Sequence, residues 1–131
     1  MADRMSFELV SPERKLATGE ADMVLIPGAE GDLGAMAGHA PCLTTLRPGL
    51  VTVTDGSAST EYFVTGGFAE VSADGAAILA EEAVERSALT RDYLDAKIEA
   101  AEKALEGASD EARDGASYRL DCLRAAAEQL L

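Results

Sequence analysis

The sequence has few of the residues on which most catalytic and ligand-binding sites depend. In 131 residues there is no tryptophan, and there are one histidine (His39), two cysteines and three lysines. Cys42 and Cys122 lie far apart, and no His-x-x-x-His or Cys-x-x-Cys pair offers metal-ligand spacing. A Gly-x-Ser-x-Gly elbow and a Gly-x-x-x-x-Gly-Lys phosphate loop are also absent. The sequence therefore predicts no catalytic residue, no cofactor site and no metal site.

Positive charge and long apolar runs are scarce as well. The chain has 11 basic and 24 acidic residues, which gives a net charge of −13. Such a chain repels phosphates and anionic lipid headgroups, so we expect no nucleic-acid binding. No apolar run approaches the roughly 20 residues of a membrane-spanning helix. The first five residues lack the pattern of a signal peptide, so we expect no direct membrane insertion and no export.

The residues that are present divide the chain into two parts of different composition. All four prolines and ten of the twelve glycines precede residue 87, whereas the last 45 residues contain eleven alanines and no proline. Gly and Pro between short apolar runs are typical of sheet, and alanine-rich sequence without proline is typical of helix. We therefore predict two domains, residues 1–86 and 87–131.

The first part predicts short strands with frequent turns. The strand candidates are the alternation at Met5, Phe7 and Leu9, the runs at 23–26, 50–54, 62–65 and 77–79, and Phe68 with Val71. Asp-Gly pairs at 55–56 and 74–75 are hairpin signals, because both central turn positions favour positive φ. Short strands with this turn spacing favour an antiparallel β-sandwich or a small barrel.

The second part predicts an antiparallel two-helix hairpin. Thr90 and Ser109 are the expected N-caps, and Gly107 is the expected end of the first helix. Two apolar stripes recur with helical spacing. Their members are Leu94, Ile98, Ala101 and Leu105 in the first helix, and Ala112, Ala116, Leu120, Leu123, Ala127 and Leu130 in the second.

Two features of the sheet part suggest contact with other proteins. The segment from Pro27 to Gly38 is predicted as a glycine-rich loop, which either lets another backbone approach closely or simply serves ordinary turns. The sheet part carries a net charge of −9. That charge either keeps the surface solvated or attracts a partner with a basic face.

Several motifs together resemble the epsilon subunit of F-type ATP synthases, and the resemblance covers the whole chain. They are Phe7-Glu8-Leu9-Val10-Ser11-Pro12-Glu13-Arg14, Pro27-Gly28-Ala29-Glu30-Gly31-Asp32-Leu33-Gly34, Gly38-His39-Ala40-Pro41, Thr44-Thr45-Leu46-Arg47-Pro48-Gly49, Gly66-Gly67-Phe68-Ala69-Glu70-Val71 and Leu79-Ala80-Glu81. The Gly-His-Ala-Pro stretch with its downstream Pro-Gly is the specific part, whereas a helical hairpin alone is weak evidence.

The resemblance implies a ten-stranded β-sandwich, two helices, and a non-catalytic rotor subunit of the central stalk. It implies that Glu30, Gly31 and Asp32 face the c-ring, and that His39, Ala40 and Pro41 lie towards the gamma subunit. It further implies coupling of proton flow to ATP synthesis, and contact of the helical hairpin with the alpha and beta subunits. The implied location is peripheral, on the cytoplasmic face of the bacterial inner membrane.

Two departures from the family pattern concern regulation. Where many bacterial members have an ATP-binding Leu-Asp-x-x-Arg-Ala motif, this chain has Leu94-Asp95-Ala96-Lys97-Ile98-Glu99. Ile98 cannot pair with a phosphate and Glu99 repels one, so we expect no ATP sensing. The second helix has a net charge of −2, which disfavours contact with an acidic region of the beta subunit, so we expect only weak inhibition of ATP hydrolysis.

Two other functions remain open at this level. One is a free-standing β-sandwich adaptor with its own helical hairpin. The other is a small hydrolase that uses His39, although a general base needs a proton within reach and the sequence offers no partner for it.

Overall fold

The computed structural model describes residues 4–131, which form two compact units that divide after Arg86. Within these residues the first unit has ten strands and the second has two α-helices preceded by a short 3-10 turn. The strands are β1 (Met5–Val10), β2 (Lys15–Ala21), β3 (Met23–Gly28), β4 (Gly31–Ala35), β5 (Cys42–Leu46), β6 (Gly49–Asp55), β7 (Ala58–Val64), β8 (Gly67–Val71), β9 (Gly75–Ala80) and β10 (Ala83–Glu85). The helices are α1 (Arg91–Glu106) and α2 (Asp110–Leu130).

The strands form one sheet that folds over into two layers, which confirms the predicted β-sandwich. One layer has the order β4-β3-β6-β7-β10, and the other has the order β5-β8-β9-β1-β2. The layers are joined where Gly28 of β3 pairs with Leu46 of β5. The pairing of β1 with β9 is parallel rather than antiparallel. This departure is possible because the two strands are far apart in sequence and no hairpin has to connect them.

Aliphatic side chains from alternate strand positions fill the space between the layers. In β8, Ala69 and Val71 are buried while Phe68 and Glu70 are exposed. This period of two places one face of each strand in the core. Large members of the core are Met5, Leu9, Val24, Ile26, Leu46, Val51, Val53, Val64, Val71 and Ile78.

The two Asp-Gly turns differ from each other. Gly56, between β6 and β7, has a φ of +63°, as the hairpin signal predicted. At Asp74-Gly75 the predicted hairpin between β8 and β9 forms, but Gly75 is the first residue of β9 and its φ is not positive. A Cβ at Gly75 would lie 2.6 Å from the Ser6 carbonyl oxygen, so this glycine serves close strand packing instead.

The segment from Pro27 to Gly38 is not a loop, so that prediction was wrong. Its central residues form β4, which pairs with β3 in a hairpin whose connection is Ala29-Glu30. The two glycines of β4 lower its strand propensity, and pairing with β3 overrides that preference. The strand candidates from sequence also omitted β2, β5 and β10, which lack a run of large aliphatic or aromatic residues.

The second unit is the predicted helical hairpin. Thr90 and Ser109 accept hydrogen bonds from the amides of Tyr93 and Ala112, so both expected N-caps are confirmed. Gly107 ends α1, also as expected. The helices contact each other, and an ion pair of 3.0 Å joins Arg124 of α2 to Glu102 of α1. The buried residues of the unit are Leu94, Ala101, Leu120, Leu123 and Ala126.

Candidate protein-interaction surface

The predicted partner-binding residues lie at opposite ends of strand β5. His39, Ala40 and Pro41 directly precede its first residue, Cys42. The β3–β4 hairpin that carries Glu30, Gly31 and Asp32 lies at its other end, where Leu46 pairs with Gly28. At about 3.3 Å per residue, five residues separate the two groups by roughly 16 Å. The structure therefore brings the predicted residues together as two groups rather than one.

At the first end, a tight turn holds His39. The His39 amide donates to the Met36 carbonyl at 3.1 Å, and the Gly38 amide donates to the Ala73 carbonyl at 3.0 Å. His39 Nδ1 lies 2.6 Å from the carbonyl oxygen of Ala40, which can only accept, so Nδ1 carries the proton. Among residues 4–131, no carboxylate or hydroxyl forms a hydrogen bond with this ring. The arrangement is that of a structural turn rather than of a general base.

At the other end, Arg47 joins the hairpin to β5. Its Nη1 donates to the Gly28 carbonyl at 2.6 Å, and its Nη2 lies 2.5 Å from Asp32 Oδ1. Its backbone amide donates to the Pro27 carbonyl at 3.0 Å. The Asp32 carboxylate is therefore already paired within the chain.

Between these two ends, the outer surface of β5, β8 and β9 carries three large apolar side chains that are exposed, beside the polar residues Thr45 and Glu70. Leu43 is 72% exposed, Phe68 is 51% exposed and Leu79 is 48% exposed. Phe68 pairs directly with Leu79, and Leu43 pairs with Glu70, which lies on the same side of β8 as Phe68. The three apolar side chains therefore share one surface, with Leu43 diagonal to Phe68 and the Glu70 carboxylate at its edge. We call Leu43, Phe68 and Leu79 the outer apolar face. Clustered large apolar side chains on a water-exposed sheet are typical of a protein-interaction surface.

Sequence reasoning missed the outer apolar face and Arg47. A signal for the former was present in β5 and β8, where Leu43 and Phe68 share the phase of polar Thr45 and Glu70. An apolar residue in that phase is surplus to the core. Strand β9 gave no such signal, because no polar residue shares the phase of Leu79. The side chain of Arg47 reaches Gly28 and Asp32, which are 15 or more positions away in the chain, so no local pattern could have indicated these contacts.

The described residues offer neither a metal site nor a membrane-spanning helix. Within residues 4–131, no cluster of three or more His, Cys, Asp or Glu side chains is placed to hold a metal ion. Neither α1 nor α2 combines the length and the apolar character needed to cross a bilayer.

A sandwich with exposed apolar side chains clustered on one face, followed by a helical hairpin, is typical of a protein that binds other proteins. Residues 4–86 match the family model described as ATP synthase, Delta/Epsilon chain, beta-sandwich domain. The ATP synthase epsilon chain of Ruegeria sp. (strain TM1040) is 56% identical over 77% of this chain and 74% of its own length. The epsilon chain of Rhodospirillum rubrum is 42% identical over 100% of this chain and 96% of its own. The chain belongs to the ATP synthase epsilon chain family.

Solved structures share the fold. A chain of the mitochondrial ATP synthase of Euglena gracilis (OSCP/F1/c-ring) aligns with a TM-score of 0.70 and 24% identity, over 94% of this chain and 81% of that one. A chain of the Tetrahymena thermophila mitochondrial enzyme (central stalk/c-ring) aligns with a TM-score of 0.67 and 16% identity, over 94% and 96%. Membership of the family makes the chain a non-catalytic accessory subunit, so the hydrolase alternative is wrong. The free-standing adaptor is likewise replaced by a subunit of ATP synthase.

Proposed function

We propose that this protein is a rotor subunit of the central stalk, which connects the gamma subunit to the c-ring and so couples proton flow to ATP synthesis. The observation that carries the proposal is the outer apolar face. Family membership supplies the complex, and the face supplies a surface through which the chain holds a partner within it.

The gamma subunit is the proposed occupant of the outer apolar face and of the His39 turn beside it. Burying a large apolar side chain contributes about 1.5–3 kcal/mol relative to leaving it exposed. Leu43, Phe68 and Leu79 are about half or more exposed in this chain, so their burial against an apolar partner favours association. The backbone contacts that fix the His39 turn give the face a defined edge.

The c-ring is the proposed partner of the β3–β4 hairpin. This hairpin lies at the far end of β5 from His39, so one sandwich offers two separate contact regions. A subunit that connects gamma to the c-ring requires two such regions. The related chains of known structure come from assemblies that are described as containing a c-ring, which supports the same placement.

For the helical hairpin we propose contact with the alpha and beta subunits and weak inhibition of hydrolysis. Asp95 and Glu99 are exposed, and Lys103 lies 3.3 Å from Glu99, so a nucleotide phosphate on this side of α1 would meet two carboxylates and a lysine that is already paired. The proposed location is peripheral, on the cytoplasmic face of the bacterial inner membrane.

The test is replacement of Phe68 by glutamate. Phe68→Glu places a charge in the centre of the face, and we expect at least a tenfold loss of affinity for purified gamma subunit in titration calorimetry. The matched control is Thr60→Glu, which adds the same charge at an exposed position of β7 in the other layer. Native affinity in Phe68→Glu, or equal loss in both variants, would contradict the proposal.

A further inference from the structure

The β3–β4 hairpin presents only two residues beyond its last paired positions. Gly28 pairs with Gly31 and Pro27 pairs with Asp32, so Ala29 and Glu30 form the tip. The Ala29 amide donates to the Thr45 carbonyl of β5 at 2.8 Å. The tip is therefore connected to the neighbouring strand as well as to its own hairpin.

Arg47 contacts both strands of the hairpin at its base. It follows the last residue of β5, and its two terminal nitrogens reach the Gly28 carbonyl in β3 and the Asp32 carboxylate in β4. Gly28 is buried, and the Arg47 side chain is 27% exposed. A planar guanidinium with donors in a fixed fork suits two acceptors at once, whereas a lysine ammonium concentrates its charge at one point.

The two carboxylates of the hairpin therefore differ in whether an ion pair within the chain compensates their charge. The charge of Asp32 is compensated by Arg47. Glu30 is exposed at the tip, and no ion pair or side-chain hydrogen bond joins it to any residue between 4 and 131. A partner that approaches the tip meets the charge of Glu30 without internal compensation.

We infer that Arg47 is the positioning residue of this hairpin and that Asp32 anchors the hairpin internally rather than docking a partner. Glu30 is then the carboxylate that contacts the c-ring. The role of Glu30 in docking rests on the proposed function. The roles of Arg47 and Asp32 do not, because their contacts lie within this chain. This assignment of roles revises the expectation from resemblance, in which Glu30, Gly31 and Asp32 all face the c-ring alike.

The first experiment measures amide hydrogen exchange at Ala29 by NMR in the isolated full chain. Arg47→Met keeps much of the side-chain volume and removes both bonds. We expect exchange at Ala29 to become at least about tenfold faster, as for loss of a charge-assisted hydrogen bond. Arg47→Lys should give a smaller increase because it retains the charge but not the fork. The matched control, Arg14→Met, removes an exposed arginine outside the hairpin and should leave exchange unchanged.

Asp32→Ala serves if Arg47→Met does not fold, since Asp32 is 57% exposed and its removal leaves Arg47 in place. We expect faster exchange at Ala29 in this variant too. Exchange at Ala29 within twofold of the native rate in Arg47→Met, or in Asp32→Ala where only that variant folds, would overturn the positioning role.

The second experiment measures binding to a purified gamma–c-ring subcomplex at low and high salt. We expect Glu30→Gln to bind about threefold more weakly at low salt, to lose part of the salt dependence, and to keep native exchange at Ala29. If Asp32→Asn weakens binding with native exchange while Glu30→Gln binds normally, the assignment of the two carboxylates is overturned. If the native chain itself does not bind, the proposed function fails, and the exchange data still decide the role of Arg47.

Discussion

Gly67 and Gly115 show opposite consequences of the same residue type. Gly67 begins β8 with a φ of +125°, and a Cβ there would overlap the Leu79 carbonyl oxygen and lie 2.9 Å from the Ala80 Cα. Strand β9 can approach so closely only because the side chain is missing. Gly115 is exposed within α2, and a Cβ added there would have nothing within 4 Å of it. A glycine at this position only lowers helix propensity.

We therefore expect alanine to have opposite effects at the two positions. Gly67→Ala should lower the free energy of unfolding by at least about 1–3 kcal/mol, the usual cost of a strained backbone conformation. Gly115→Ala should raise it by up to about 1 kcal/mol. Urea unfolding followed by circular dichroism measures both. Equal stability of Gly67→Ala and the native chain would contradict the close approach of β8 and β9.

Tyr62 gives the sandwich a dependence on alkaline pH. Burial raises the pKa of the Tyr62 phenol above its ordinary value of 10.0, and the Glu85 carboxylate raises it further. Tyr62 of β7 and Glu85 of β10 are paired across the two strands, which accounts for the proximity. The neutral phenol is therefore favoured in the folded state.

The sign of the effect on stability follows directly. A pKa that is higher in the folded state contributes stability below the unfolded value, about 10, and that stability is lost as the pH rises through the folded pKa. We expect the native chain to lose stability above about pH 10 more steeply than Tyr62→Phe, measured by urea unfolding at several pH values. Identical pH profiles would show that the Tyr62 phenol has the same pKa in both states.

At the scale of elements, the sandwich holds the proposed contacts with gamma and the c-ring. The outer apolar face, the His39 turn and the β3–β4 hairpin all belong to the strands and turns of the first compact unit. That unit also contains a continuous aliphatic core. These features predict that it folds and binds without the helices.

A protein that ends at Arg86 should therefore unfold cooperatively and bind the gamma subunit with an affinity within about threefold of the full chain. Thermal unfolding by circular dichroism establishes that the fragment is folded, and titration calorimetry measures binding. A folded fragment that fails to bind gamma would place an essential part of the contact in residues 87–131.

At the scale of the whole molecule, the distribution of charge bears on regulation. The chain carries −13 overall, and α2 has three basic and five acidic residues. An acidic helix is poorly suited to hold an acidic partner. Two of the three arginines of α2 also have interactions within the chain, Arg124 with Glu102 and Arg119 with a further group.

Deletion of residues 87–131 should consequently change ATP hydrolysis by the purified complex less than about twofold. Millimolar ATP should not protect the isolated full chain from proteolysis between residues 87 and 131. The deletion tests inhibition and the protection assay tests ATP sensing. A several-fold rise in hydrolysis would show that the hairpin inhibits by its shape, whatever its charge.

The sequence by itself determined the class of fold, the helical hairpin and the family. Composition separated sheet from helix, helical spacing and caps located α1 and α2, and the Gly38-His39-Ala40-Pro41 motif indicated the epsilon family. Local chemistry suffices for such features because caps, turns and periodicity depend on residues close together in the chain.

Only the tertiary structure decided where the candidate contacts lie. In it the segment predicted as a glycine-rich loop is a hairpin, and Asp32 of that hairpin is paired with Arg47. Glu30 and His39 lie at opposite ends of β5. The tertiary structure also assembled the outer apolar face from three separate strands. These features depend on which strands lie side by side, and pairing between distant strands is set by packing of the whole core rather than by any local pattern.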